Sequence, residues 1–251
     1  MIECKNLSVK GGNTTILSNI SLKAKQGEIA VILGKNGSGK TTLLRAISSS
    51  IPYKGEIFIG GRNIKEYSKK MLSQLVALMP QSPPVVPLTV KELVSLGRYP
   101  YTGISGILSE NDKNEIAKAI KSTKIEDIEH KRADIISGGE RKKAYFAMML
   151  ARDPQILLLD EPSSNLDIPY QRYFTNMLKS CQNSGKTTIC VLHDINHAIE
   201  IAQRIILLED SRIVFNGTVD EFISNKIPEN CFELERIEYT DSQNNKKFVY
   251  K

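Results

Sequence analysis

Short apolar runs broken by turn signals open the chain. Ile2 to Val9, Thr14 to Leu17, Ile20 to Ala24 and Glu28 to Leu33 read as strands, with Gly11-Gly12-Asn13 and Lys25-Gln26-Gly27 as turns between them. A strand and tight turn follow over Lys54 to Gly61, and the run from Leu75 to Gln81 reads as a buried strand halted at Pro80. The period then changes. Ser82 to Pro87 is a stiff, Pro-rich linker, and Thr89 to Arg152 carries helical spacing. Thr89 with Glu92 fits a capping box, Gly97 is expected to stop that helix, and Ile116, Ala119, Ile120 and Thr123 share one face of another. Beyond it, strands at Gln155 to Glu161, Thr187 to Leu192 and Ile205 to Leu208 alternate with helices at Pro169 to Gln182 and Ile195 to Ala202. From Gly217 the tail reads as a short helix and a strand pair around Phe232 to Tyr239 and Phe248 to Tyr250. Alternation of this kind predicts a largely parallel sheet, so the fold class is α/β. The expected organisation is a single domain over 1–251: a core of 1–82 and 153–251, an antiparallel β-layer at its start, and an inserted helical subdomain over about 83–152.

Composition narrows the class without fixing the chemistry. With 41% hydrophobic and 25% charged residues in 251, the chain can bury a full core and has no disorder signature. No apolar run approaches a membrane span, and Met1 to Asn6 lacks the sections of a signal peptide. Cys4, Cys181, Cys190 and Cys231 show no C-x-x-C pairing and are expected to be thiols in a reducing compartment. A net charge of +6 suits a polyanionic ligand or work beside anionic lipid. No Lys/Arg block or aromatic ladder accompanies it, so nucleic acid is not expected as a partner.

The chemistry centres on Gly34-Lys35-Asn36-Gly37-Ser38-Gly39-Lys40-Thr41-Thr42, set between the apolar run Ile29 to Leu33 and the helical run Leu43 to Ile47. Strand, G-x-x-x-x-G-K-T and helix form the context of a phosphate-binding loop. Its glycines allow close backbone approach, successive N–H groups make an anion site at a helix N-terminus, Lys40 reaches terminal phosphates, and the Thr41 hydroxyl can bind Mg²⁺. This predicts ATP and Mg²⁺ as ligands and a P-loop NTPase core. Two acids, Asp160 and Glu161, end a dry strand, where an unpaired carboxylate is costly. Metal binding by Asp160 and activation of water by Glu161 give them a purpose. Ser137-Gly138-Gly139-Glu140 fits a capping box, yet two adjacent glycines exceed what capping needs and suit close approach to a phosphate.

These stretches together resemble the ATPase subunit of an ABC (ATP-binding cassette) transporter over nearly the whole chain. Gly34 to Thr42 matches the Walker A loop of that family, and Ile156 to Asp160 the Walker B strand, followed by the catalytic Glu161. Gln81 matches the Q-loop, whose side chain reaches toward Mg²⁺ and the attacking water. Ser164-Asn165-Leu166-Asp167 matches the D-loop, and His193 the switch histidine that senses the γ-phosphate. The resemblance implies a homodimer in which Ser137, Gly138, Gly139 and Asp167 of one copy contribute to the site of the other, with Thr41, Gln81 and Asp160 around the metal. His193 and His197 also form an H-x-x-x-H pair, but no third metal ligand accompanies them. Three positions depart from the family pattern: Ser8 to Gly12 holds no aromatic residue for adenine, Arg141 follows Glu140 where Gln is usual, and Ile136 replaces a Leu.

The motifs are shared by importers, exporters and soluble members, so the branch rests on another stretch. Leu96-Gly97-Arg98-Tyr99-Pro100-Tyr101 resembles a segment of ATPases serving metal-chelate importers, which handle siderophores, haem, cobalamin, molybdate or tungstate. Arg98, Tyr99 and Tyr101 are expected to form a docking surface for a membrane subunit, with permease contacts near Gln81 to Tyr101. The resemblance further implies an extracytoplasmic substrate-binding protein and a peripheral location on the cytoplasmic face of the cell membrane. The alternatives are another ABC transporter's ATPase, or a soluble ABC ATPase of iron–sulfur cluster assembly.

Overall fold

The computed structural model describes residues 1–163, 167–240 and 246–251. Strand β1 (Ile2–Gly11) turns at Gly12-Asn13 into the antiparallel β2 (Thr14–Ala24). The sequence pattern suggested two strands in place of β2. Asn19 instead adopts φ 54° within one continuous strand, and the register shift between Leu7 and Val9 absorbs the irregularity as a bulge. Next come β3 (Ile29–Leu33), helix α1 (Lys40–Ile47), β4 (Lys54–Ile59) and the two-residue β5 (Arg62–Asn63). β4 pairs with β1, so an antiparallel layer of order β2-β1-β4-β5 stands beside the main sheet.

The sequence pattern did not signal α2 (Lys69–Leu75), which Ser68 caps by accepting from the Met71 N–H. It is fully buried at no position, and its apolar Met71, Leu72 and Leu75 span too short a run to show a helical period. β6 (Val76–Met79) follows directly. The helical stretch comprises α3 (Val90–Ser95), α4 (Tyr99–Thr102), α5 (Glu110–Ser122) and α6 (Gly138–Ala151). Capping boxes at Thr89/Glu92, Ser109/Asp112 and Ser137/Glu140 start three of them. Gly97 does not stop α3: the chain continues through a 3₁₀ turn at Leu96–Arg98 into α4. Its role is close packing, since a Cβ there would lie 2.1 Å from the Met148 carbonyl oxygen of α6.

The core then resumes with β7 (Ile156–Asp160), α7 (Ile168–Asn183), β8 (Thr187–Val191), α8 (Ile195–Ile201), β9 (Arg204–Glu209) and β10 (Arg212–Thr218). The main sheet has the order β10-β9-β3-β8-β7-β6, parallel throughout except for β10 on β9. Both faces of β3 are buried, as in a covered parallel sheet. Ala30 and Ile32 face Leu43, Leu44 and Ile47 of α1, which is packed against the antiparallel layer. Ile29, Val31 and Leu33 belong to a second apolar cluster that runs on through α3, α5 and α6. The tail folds as α9 (Val219–Ser224), α10 (Ile227–Phe232) and the hairpin of β11 (Arg236–Thr240) with β12 (Lys246–Tyr250). Phe232 therefore ends a helix and lies outside the terminal strand pair. No helix among the described residues is long and apolar enough to cross a membrane.

Candidate active site

The parallel sheet delivers its C-terminal strand ends to one edge, and the phosphate-binding loop occupies that edge between β3 and α1. Gly34 sits at φ 150° against β9, where a Cβ would meet the Leu208 carbonyl oxygen at 2.2 Å. Gly39, at φ 102°, is the N-cap of α1. No side chain caps this helix and its first turn holds no acid, so its leading N–H groups and dipole face the loop. Lys40 is buried and donates to the carbonyl oxygens of Gly34 (2.8 Å) and Lys35 (3.0 Å), which arches its ammonium over the loop. Burial lowers its pKa, while the nearby Glu161 and Asp160 carboxylates work in the opposite direction.

Asp160 ends β7 and is 4% exposed. Burial raises its pKa, against a stabilising hydrogen bond from the Thr41 hydroxyl. Its Oδ1 is buried with no hydrogen-bond partner, as is the Oγ of Ser38 in the loop. An orphaned carboxylate oxygen beside a threonine hydroxyl is a hard-oxygen donor set that fits Mg²⁺. Glu161 follows at φ 48°, and its N–H donates to the Val191 carbonyl (3.2 Å), which turns the chain at the strand tip. Its carboxylate collects two side chains from other elements. Gln81, just beyond β6, donates from Nε2 to Oε2 at 2.6 Å, and His193, just beyond β8, places Nε2 against Oε1. Three adjacent parallel strands thus bring Gln81, Glu161 and His193 to one point.

The other expected site residues lie elsewhere. Ser137 donates from its N–H (2.8 Å) and hydroxyl (2.7 Å) to Glu140, within its own helix end. Gly138 and Gly139 open α6 there, and a Cβ on Gly138 would meet nothing within 4 Å. Asp167 caps α7 by accepting from the Tyr170 N–H (3.1 Å), while Ser164 to Leu166 of the expected D-loop lie outside the described residues. Arg98 corrects the sequence reading. It is buried, donates to Asp112 Oδ1 (2.7 Å) and the Ala151 carbonyl (2.8 Å), and stacks on Tyr101, so it offers no docking surface. Its neighbours do remain exposed, Leu96 at 49% and Tyr99 at 59%, along a groove of 660 Å³ that Pro100, Met148, Lys70 and Arg152 also line. His197 spends its Nε2 on Thr175 Oγ1 (2.9 Å) in the interior, apart from His193.

Lys142 is a residue that sequence reasoning missed. It lies one turn into α6, burial lowers its pKa, and Glu161 acts against that shift. Its position in Arg141-Lys142-Lys143 resembles an ordinary solvated run, and only the tertiary placement of α6 brings it under the electrostatic influence of Glu161.

A family model described as ABC transporter matches residues 17–164. Among curated relatives, the chain is 35% identical to the probable siderophore transport system ATP-binding protein YusV of Bacillus subtilis, over 93% of this chain and 86% of that protein. It is 33% identical to the ferric enterobactin transport ATP-binding protein FepC of Escherichia coli, over 92% and 86%. Among solved structures, it is similar to the dimeric post-hydrolysis ATP-binding cassette MJ0796 bound to ADP and Pi. That match has a TM-score of 0.76 and 28% identity, covering 87% of this chain and 99% of that one.

Proposed function

The chain belongs to the ABC transporter family, and from that premise we propose that it is the ATP-hydrolysing subunit of a membrane importer for iron–siderophore complexes. The observation that carries the mechanism is the convergence of Gln81 and His193 on Glu161, beside the phosphate-binding loop. The cargo class is supported by relatives named for siderophore and ferric enterobactin transport.

In this mechanism the N–H groups opening α1 and the Lys40 ammonium hold the β- and γ-phosphates of ATP. Thr41 and Asp160, with Gln81, would hold Mg²⁺, which would supply charge neutralisation at the phosphates. Glu161 accepts the proton of the attacking water. Gln81 and His193 hold its two oxygens apart and aimed, so the carboxylate does not rotate away. Ser137, Gly138 and Gly139 on one copy, with Asp167, close over the phosphates held by the second copy of a homodimer. The helical stretch of about 83–152 moves with that closure. Exposed Leu96 and Tyr99 line an apolar groove beside Lys70 that suits a helix of the permease, and the chain works from the cytoplasmic face of the membrane in this reading. An extracytoplasmic binding protein delivers cargo in the complete system.

The test is co-purification after mild detergent extraction, with Glu161→Gln to hold the ATP-bound dimer. Recovery with a polytopic membrane protein supports the importer. Recovery with soluble proteins alone, and none from membranes, overturns it and favours an ABC ATPase of iron–sulfur cluster assembly.

A further inference from the structure

We propose that Asn196 is a positioning residue through which the C-terminal hairpin holds α8, the helix that follows His193, and so sets the rate of hydrolysis. The inference rests on the role given above to His193. The observation is a two-point bond: Asn196 Nδ2 donates to the Tyr250 carbonyl at 2.9 Å, and the Tyr250 N–H donates to Asn196 Oδ1 at 2.8 Å.

Strand register explains why these groups are free to bond. Glu235 and Lys251 exchange both backbone hydrogen bonds, at 2.9 and 3.0 Å. In an antiparallel pair the neighbouring residues then point their N–H and C=O groups outward. Tyr250 thus presents an open strand edge, and the Asn196 amide satisfies it as a further strand would. The Tyr250 ring is 4% exposed, packs edge-on against Phe248 at 5.7 Å, and shares an apolar cluster with Ile195, Ala198 and Ile201 of α8.

Neither partner is self-sufficient. α8 has 7 residues, too few to hold a helix unaided, and an isolated hairpin is marginal. α8 begins immediately after its cap, Asp194, which accepts from the His197 N–H at 3.1 Å, and His193 precedes that cap. On its other side His197 bonds Thr175 of α7. The helix is therefore pinned to α7 by His197 and to the hairpin by Asn196, and its setting fixes where the His193 ring meets Glu161. Loss of the Asn196 pin would let α8 and His193 drift, at a cost in rate and not in nucleotide binding.

Steady-state ATP hydrolysis by the full chain tests this in four forms: unaltered, His193→Ala, Asn196→Ala and the double variant. Asn196→Ala is expected to lower kcat about tenfold with KM within about twofold, because a small misplacement of an orienting group is costly. In the His193→Ala background the same change is expected to alter kcat by less than about twofold, since coupled residues are non-additive. Asn196→Asp keeps the acceptor for the Tyr250 N–H and loses the donor. Its intermediate kcat carries the test if the alanine variant does not fold. An Asn196→Ala rate within about twofold of the unaltered chain, or the full loss repeated without His193, overturns the inference. A normal rate in His193→Ala alone overturns the role of His193 itself, a distinct failure.

Discussion

Asp160 shows most plainly how single residues trade stability for chemistry. Its pKa is raised by burial, so the folded chain holds its proton more tightly than the unfolded chain does. Stability from this group is therefore greatest at acid pH and falls as pH rises from the ordinary carboxyl range through the raised value. Asp160→Asn should raise the melting temperature of the ligand-free protein at neutral pH, with the gain shrinking toward pH 4, while Mg²⁺-dependent hydrolysis is lost. Calorimetry across that range checks it; a neutral-pH melting temperature at or below the unaltered one contradicts it. Gly34 carries the opposite risk. Gly34→Ala forces a Cβ onto the Leu208 carbonyl and should cost about 2 kcal/mol along with ATP affinity, measured by denaturation and titration calorimetry. Such residues were legible in the sequence because their spacing is local: the loop, the acid pair and the capping boxes each fall within a few positions. Lys142 and Asn196 were not, because the groups around them are set by how distant segments pack.

At the scale of elements, Arg98 shows where local reading fails. Its sequence neighbours Leu96 and Tyr99 are exposed, and a surface role follows naturally from pattern alone. The 3₁₀ turn at Leu96–Arg98 rotates the arginine inward, where Asp112 at the start of α5 meets it. Asp112 is held below the ordinary carboxylate range by the Ser109 hydroxyl first and by Arg98 as well. Its contribution is therefore present above the ordinary carboxyl pKa and lost as pH falls through the depressed value. Asp112→Ala should destabilise the chain by about 2 kcal/mol at neutral pH, with most of that difference gone in acid, read from urea unfolding. An unchanged midpoint at pH 7 contradicts the pairing. Elements with a strong apolar period, such as β3, β7 and α5, were legible from the sequence. The short α2, with no buried position, and the edge strand β10, with one, gave no such signal.

Across the whole molecule, the parallel sheet serves as the frame of a catalytic edge. β3 carries the phosphate loop, and β6, β7 and β8 end at Gln81, Asp160 with Glu161, and His193. Residues on separate strands, distant in sequence, become neighbours because the strands are adjacent and point the same way. The sequence could place each residue at a strand end; the order β3-β8-β7-β6 that unites them emerges only in the fold. Within one copy, Ser137 spends its N–H and hydroxyl on its own helix cap. The central claim is that Glu161 activates water at this edge. The most direct test is the rate of phosphate release from Mg-ATP by Glu161→Gln against the unaltered chain, with ATP binding measured in the same preparations. The expected result is a rate lower by about 10²–10⁴ with binding retained. Phosphate release within a few-fold of the unaltered chain would contradict it.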